Sequence, residues 1–256
     1  MNKISLIDTH AHYNNTCMPN LTEQIMIANA NEDVEKIINV GLDLNTSHDA
    51  IKIAIENPKF YSTIGIHPLY NGNAKYLRHL YDTYENNKIV AVGETGIDTS
   101  GDITIQTKKM IESINLANQL HLPVIIHSNT TRDSFVNANQ LCIEIIKCCP
   151  PEYGFVFHCF QPDLDVLTEI INLGGYISLA SKITQANAKK SLEVIKETPV
   201  DKLLIETDYP FLADNPNEKG KATFDKMCEI KKQGKSPMMK QLNNNAKSLF
   251  KKLNNN

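Results

Sequence analysis

Short, nearly continuous apolar runs alternate with longer segments of helical period along the whole chain, and this rhythm restricts the folds open to it. The strand-like runs are SLIDTHAH (5–12), KIINVGL (36–42), FYSTIGI (60–66), IVAVGET (89–95), PVIIHS (123–128), GFVFHCF (154–160), GYISLAS (175–181) and KLLIETD (202–208). Their length, their β-branched and aromatic content and their mostly apolar character suit strands buried on both faces. Helical segments are expected near 22–30, 47–57, 74–86, 105–120, 134–148, 163–173, 187–197 and 237–252. In the fourth of them, most of Ile105, Ile111, Ile114, Leu116 and Leu120 share one flank. Eight strands, each followed by a helix, in about 250 residues is the count of an α/β (β/α)8 TIM barrel. A doubly wound open sheet uses the same alternation, but the Gly-rich phosphate turn of a dinucleotide fold is missing after the first run, which favours the barrel. No linker, repeat or low-complexity tract breaks the pattern, so 1–256 reads as one domain, with the polar end KKLNNN expected to fray.

Composition narrows the function. At 256 residues and 41% hydrophobic, the chain can bury one large core. A formal charge of −3 argues against a broad basic face that coats nucleic acid. It leaves room for an enzyme that grips a few phosphates through a metal. The six cysteines, at 17, 142, 148, 149, 159 and 228, contain no C-x-x-C pair and read as reduced thiols of an intracellular protein. No signal-peptide pattern opens the chain, and no apolar run approaches the roughly 18 residues of a membrane span. A soluble monomer of the cytoplasm or nucleus, with no membrane and no obligate protein partner, is the expectation.

A barrel gathers its chemistry where strands end, at the C-terminal face. Five of the eight histidines sit there: His10 and His12 after the first run, His67 in GIHP, His127 in VIIHS and His158 in FVFHCF. His48, His79 and His121 fall in helices or loops. Glu94 ends the fourth run and Asp208 the eighth. One histidine at a strand end is more often a hydrogen-bonded structural group than a ligand. Several sharing one mouth are different, because Glu94 and Asp208 would repel each other and lose hydration there without compensation. One or two divalent cations held by His10, His12, Glu94, His127, His158 and Asp208 resolve this. Alternation in a strand lets His10 and His12 aim the same way while Ala11 points elsewhere. A nitrogen-rich set with carboxylates suits zinc or manganese; an all-oxygen set would favour magnesium. Two ions roughly 3.5–4 Å apart with a bridging carboxylate fit such a set, and Glu94 is the better bridge. Asp208 suits the double role of ligand and general base.

At these residues the sequence resembles the TatD family of metal-dependent deoxyribonucleases, within the amidohydrolase-like metal-dependent hydrolases. The blocks are IDTHAH (7–12), IGIHP (64–68), AVGETGID (91–98), PVIIHS (123–128), HCF (158–160) and LLIETDYPFL (203–212), in order over nearly the whole chain. The resemblance implies hydrolysis of DNA phosphodiester bonds at a divalent metal centre in a TIM barrel. It implies His10, His12, Glu94 and Asp208 around one metal and Glu94, His127 and His158 around the other. His67 corresponds to the histidine beside the scissile phosphate, which makes Asp208, His67 and Glu94 the catalytic group. Glu206 faces the same side as Asp208 and is expected to support a ligand from behind.

The chain also departs from the family pattern. Asp98 is followed by Thr99, Ser100 and Gly101, where family members carry aromatic and basic residues. Asn129 takes the place of an arginine after IHS, with Arg132 three positions on. ADNPNEKGKATF (213–224) replaces a Pro- and Arg-rich loop, with Lys219 and Lys221 as substitute cations. Two of these changes remove positive charge where a phosphate backbone would lie. Candidate substrate contacts are therefore Asp98, Arg132, Tyr209, Phe211, Lys219 and Lys221, the two aromatics as stacking surfaces for a base or as cover for the barrel end. Pro68 fixes a turn, Gly93 and Gly96 serve turns or close backbone approach, and Cys159 is expected in the core. The leading expectation is a DNase acting on single strands or ends. The rivals are an amide, lactone or phosphotriester hydrolase with the same metals, and a non-catalytic binding protein on the same barrel.

Overall fold

All eight expected runs form strands in the computed structural model, which describes residues 5–15, 18–84 and 87–254. They are β1 (Leu6–Ala11), β2 (Val34–Asn39), β3 (Phe60–Ile64), β4 (Ile89–Asp98), β5 (Val124–Asn129), β6 (Phe155–Phe157), β7 (Tyr176–Leu179) and β8 (Leu203–Ile205). Each pairs in parallel with the next, in the order β1 to β8. The ring closes above β8, where Ala11 pairs with Tyr209. There the Asp208 N–H donates to the His10 carbonyl at 2.9 Å and the His12 N–H to the Tyr209 carbonyl at 2.6 Å. The chain is a single-domain TIM barrel.

The helices are α1 (Leu21–Ala30), α2 (Leu44–Glu56), α3 (Ala74–Tyr84), α4 (Ile103–Leu120), α5 (Ala138–Cys148), α6 (Leu164–Asn172), α7 (Lys189–Glu197), α8 (Pro216–Lys231) and α9 (Lys235–Leu249). Asp43, Asp102, Asn137, Asp163 and Asn215 each cap the helix that follows by accepting a first-turn N–H, so the loop after a strand turns promptly into helix. Two apolar layers result. Ile7, Ile38, Tyr61, Val90, Ile125, Val156 and Leu204 belong to one buried cluster with Ala246, Leu249, Phe250 and Leu253 of the last helix and the turn after it. Ile64, Val92, Val124 and Ile126 belong to a second, packed with Leu77, Met110, Ile114, Ile143 and Ile170 of the helices.

The structure departs from expectation in five places. Helix α8 occupies 216–231, where the sequence suggested a loop. Its apolar stripe is short, and Pro216 and Gly220 read as breakers, yet Pro is at home in the first turn behind the Asn215 cap. Strands β6 and β8 stop at Phe157 and Ile205, so His158, Glu206 and Asp208 sit on loops just past them. The KKLNNN end is not frayed over 251–254, which form a helical turn with Leu253 only 1% exposed. Ile105 faces solvent, and Met110 and Ala117 complete the buried flank of α4 instead. Cys17, the end of the third expected helix at 85–86 and the last two asparagines lie outside the described residues. The five described cysteines are free thiols, and Cys159 is partly exposed rather than in the core. Among the described residues, no helix is long and apolar enough to cross a membrane.

Close backbone approach decides one glycine. Gly96 has φ +148°, and a Cβ there would lie 1.9 Å from the His127 carbonyl oxygen. Gly96→Ala is expected to cost at least about 2 kcal/mol, from backbone strain plus the forced parting of β4 and β5. Urea unfolding of the two proteins measures it, and an unchanged midpoint contradicts the packing described.

Candidate metal centre

The seam between β1 and β8 creates the first half of the site. Pairing between β1 and β2 shifts register between Asp8 and Ala11, at the point where the two histidines turn to the mouth. Thr9 bonds into the barrel wall, its Oγ1 lying 2.9 Å from the Ile205 carbonyl and 3.1 Å from Ser178 Oγ. Asp208 has φ 51°, a left-handed turn that Asp tolerates better than most residues. Its Oδ1 lies 3.4 Å from His12 Nε2 and 3.9 Å from His10 Nε2, and the two Nε2 atoms are 3.1 Å apart. His12 Nδ1 donates to the Val40 carbonyl at 3.0 Å, which fixes the tautomer and leaves Nε2 free as a lone-pair donor.

Glu94, buried in the middle of β4, joins this half to the other. Its Oε1 lies 2.6 Å from His127 Nδ1, 2.9 Å from His158 Nε2 and 3.8 Å from His67 Nε2. Its Oε2 lies 3.4 Å from His10 Nε2 and 3.8 Å from His12 Nε2. Three overlapping sets therefore have metal-compatible spacing: His10, His12 and Asp208; His10, Glu94 and His158; and His67, Glu94 and His127. An ion with ligand distances of about 2.0–2.2 Å sets tetrahedral donors roughly 3.3–3.6 Å apart, which these separations bracket. The buried Nδ1 atoms of His10 and His158 and Oε2 of Glu206 find no hydrogen-bond partner among the described residues. A nitrogen-rich cage with unpaired polar atoms around it fits a divalent cation. His10, His12, Glu94, His127, His158 and Asp208 are placed to hold it, with His67 at its edge.

The ionisation of the cage follows from burial set against mutual charge. Burial works to raise the Glu94 pKa, but the imidazoles of His158, His10 and His127 outweigh it and hold the carboxyl well below its usual range. Burial also works against a charged His158, yet the carboxylates of Glu94 and Glu206 hold it well above the ordinary histidine value. His127 is raised too: burial opposes, and its bonds to Asp98 and Glu94 prevail. His10 is lowered by burial and by the neighbouring His158. Burial pushes His67 down to about 4, so it is a neutral imidazole at physiological pH.

The outlying candidates fall into different surroundings. Asp98 is buried and accepts from His127 Nε2 at 3.2 Å and from Asn129 Nδ2 at 3.1 Å, which places it directly behind a candidate metal ligand. Spacing alone misses this, although two strand-borne residues in neighbouring β4 and β5 are its signal. Glu206 is buried, with Oε1 3.5 Å from His158 Nδ1 and 2.6 Å from the Cys159 N–H that donates to it. Tyr209 is 6% exposed against Tyr13, which leaves no ring face for a base. Phe211 is 55% exposed, its ring 5.1 Å from that of His12. Arg132 is exposed on the loop after β5. Lys219 pairs with Asp214 at 3.7 Å, and Lys221 borders a cavity between α1 and α8. Sequence reading overlooked exposed Lys182 just past β7, which acts electrostatically on Cys159 beside His158.

A TIM barrel with a His/Glu/Asp cage at its C-terminal mouth is the architecture of a metal-dependent hydrolase. Residues 7–251 match the family model of TatD-related DNases, and the chain belongs to that family. It is 33% identical to the metal-dependent hydrolase YabD of Bacillus subtilis, covering 96% of this chain and 99% of YabD. It is 30% identical to the metal-dependent hydrolase YjjV of Escherichia coli, covering 95% and 97%. The crystal structure of YjjV superposes with a TM-score of 0.85 over 96% of this chain and 98% of that one, at 27% identity. A TatD-family hydrolase from Entamoeba histolytica, at 22% identity, shares the fold with a TM-score of 0.75 over 96% and 98%.

A metal competes with protons for His158 and His127, whose pKa values are both raised, that of His158 well above the ordinary histidine value. Zinc affinity is therefore expected to rise with pH through neutrality, with at least one proton released per protein at pH 7. Calorimetry in buffers of different ionisation enthalpy counts the protons, and pH-independent uptake without release contradicts the cage. Asp98→Asn, which weakens the acceptor behind His127, is expected to lower metal affinity about 10- to 100-fold in a chelator competition.

Proposed function

We propose that the chain is a metal-dependent deoxyribonuclease that hydrolyses phosphodiester bonds of single strands or strand ends. The observation that carries this is an exposed aromatic rim built directly onto the cage. Phe211 meets His12 edge to face, and Tyr70 meets His67 in the same way at 5.5 Å. Phe135, on the loop after β5, is fully exposed. Free aromatic faces around a buried polar centre suit bases that have left the stack, because every base offers a π face. A narrow barrel mouth admits a splayed strand more readily than intact duplex.

A divalent ion, when bound, supplies charge to polarise a phosphoryl oxygen and acidifies a water for attack. Asp208, buried beside His12, is placed to accept the proton of the attacking water. Neutral His67 offers a ring N–H to charge developing on phosphorus, without the cost of holding a buried cation. Glu94 keeps five imidazoles in register around the reacting group.

Release of nucleotides from 5′- and 3′-labelled single strands, screened with Mg²⁺, Mn²⁺, Zn²⁺ and Co²⁺, tests the proposal. Activity with at least one ion, reduced about 10³-fold or more by Glu94→Ala, is the expected result. No release with any of the four overturns it. Phe211→Ala is expected to raise KM for single strands about tenfold while leaving kcat nearly unchanged, the loss of one stacked base.

One observation favours an amide, lactone or phosphotriester substrate instead. The Asn129 carboxamide is tied between Asp98 and the Gln161 side chain, so its position carries no cation for a phosphate chain. Parallel assays on DNA and on small lactones and esters separate the two.

A further inference from the structure

Outside the barrel wall, on the far side of β1 and β8 from the cage, lies a cavity of about 350 Å³ enclosed by α1, α8 and the two strands. None of the six cage residues borders it. Its walls are apolar, formed by residues such as Ala28, Val34, Ile37, Ile205 and Phe224. Asn31, at the end of α1, donates through Nδ2 to Asn217 Oδ1 of α8 at 2.5 Å, a polar bridge at the rim. The size and the mixture of apolar wall with few polar groups are those of a small-molecule site.

Two features give the cavity its character. Asp8 borders it, and its carboxylate is held by the N–H of His10 (3.3 Å), the N–H of Thr207 (3.0 Å) and the Thr207 hydroxyl (2.6 Å). Asp33 also borders it, opposite exposed Lys221, while the Glu206 carboxylate on the same wall is turned to His158 and the Cys159 N–H. Burial pushes the Asp8 carboxyl up to about 7 against the three donors that lower it, so a cation beside it favours its charged form. The second feature is Gly220, in the body of α8. A glycine there costs the helix roughly 1 kcal/mol relative to alanine. A Cβ at 220 would meet only the Thr207 methyl, at an ordinary 3.5 Å, so nothing in the protein forbids a side chain. What a larger side chain would occupy is the cavity.

We propose that this cavity is a binding site for a small organic cation, an apolar body carrying an ammonium or amidinium group that pairs with Asp8. Asp8 Oδ1 already accepts two hydrogen bonds and Oδ2 one, so a single N–H of an ammonium or amidinium finds the open lone pair of Oδ2. The site is independent of the nuclease assignment. It adjoins the metal cage through the hydrogen bond from the His10 N–H to Asp8 and through Glu206, whose Oε1 lies 3.5 Å from His158 Nδ1.

Benzamidine, benzamide and benzoate are near-isosteric probes of charge +1, 0 and −1. Calorimetry on zinc-loaded protein is expected to show saturable 1:1 binding of benzamidine, at least about tenfold tighter than benzamide, with none of benzoate. Gly220→Leu is expected to abolish this binding while raising the melting temperature and leaving zinc uptake unchanged. Asp8→Asn is expected to weaken it about tenfold or more. Intermolecular NOEs from the benzamidine ring to the methyls of Val34 and Ile37 place the ligand without any variant. Absence of saturable binding, equal binding to Gly220→Leu, benzoate binding as tightly as benzamidine, or NOEs to other methyls would each overturn the proposal.

Discussion

A single buried carboxylate organises the mouth of this barrel. Glu94 stands within 4 Å of five imidazoles contributed by four different stretches of chain, and among the described residues no other group touches so many of them. A carboxylate in so dry a place is costly unless cations or strong donors surround it. The imidazoles are that surround, and a metal would take over the task. The site is thus arranged around a charge that cannot be left alone, and the surrounding loops keep the positions that this charge demands.

Glu94 can hold the centre only because the barrel closes correctly around it. The seam between β1 and the segment after β8 brings His10, His12 and Asp208 together through backbone hydrogen bonds made by those same residues. At the opposite end, Phe250 and Leu253 close the apolar interior from the C-terminal side of the chain. The cage and the plug bracket one column of apolar side chains, so the distances at the mouth inherit the rigidity of a packed core.

The sequence exposed most of this because barrel chemistry obeys position. His10, His12, His67, Glu94, His127, His158 and Asp208 all follow apolar runs, and each falls at the mouth. Helix α8 was illegible for a local reason: Pro216 and Gly220 resemble breakers, and its buried residues Thr223, Phe224, Met227 and Cys228 make only a short stripe. The substrate contacts were illegible for a different reason. Whether Tyr209 or Phe211 shows its ring depends on which side of a loop packs against Tyr13, which no periodicity records. Asp98 needed the pairing of β4 with β5 before its partner was visible. Strand ends are written in the sequence, whereas loop directions and cross-strand partners are written only in the packing.

The seam has a consequence for how the chain is made. Asp8 and Thr207, hydrogen-bonded across it, are 199 positions apart in sequence. At a synthesis rate of roughly 5–20 residues per second, the two histidines of the first strand emerge some ten to forty seconds before their carboxylate partner. Through that interval the half-site has two nitrogens and no Asp208, and an ion captured early is held weakly. A chain cut short anywhere before its eighth strand cannot complete the cage. A complete set of metal donors is therefore a mark of finished synthesis, carried by the two ends of the barrel meeting.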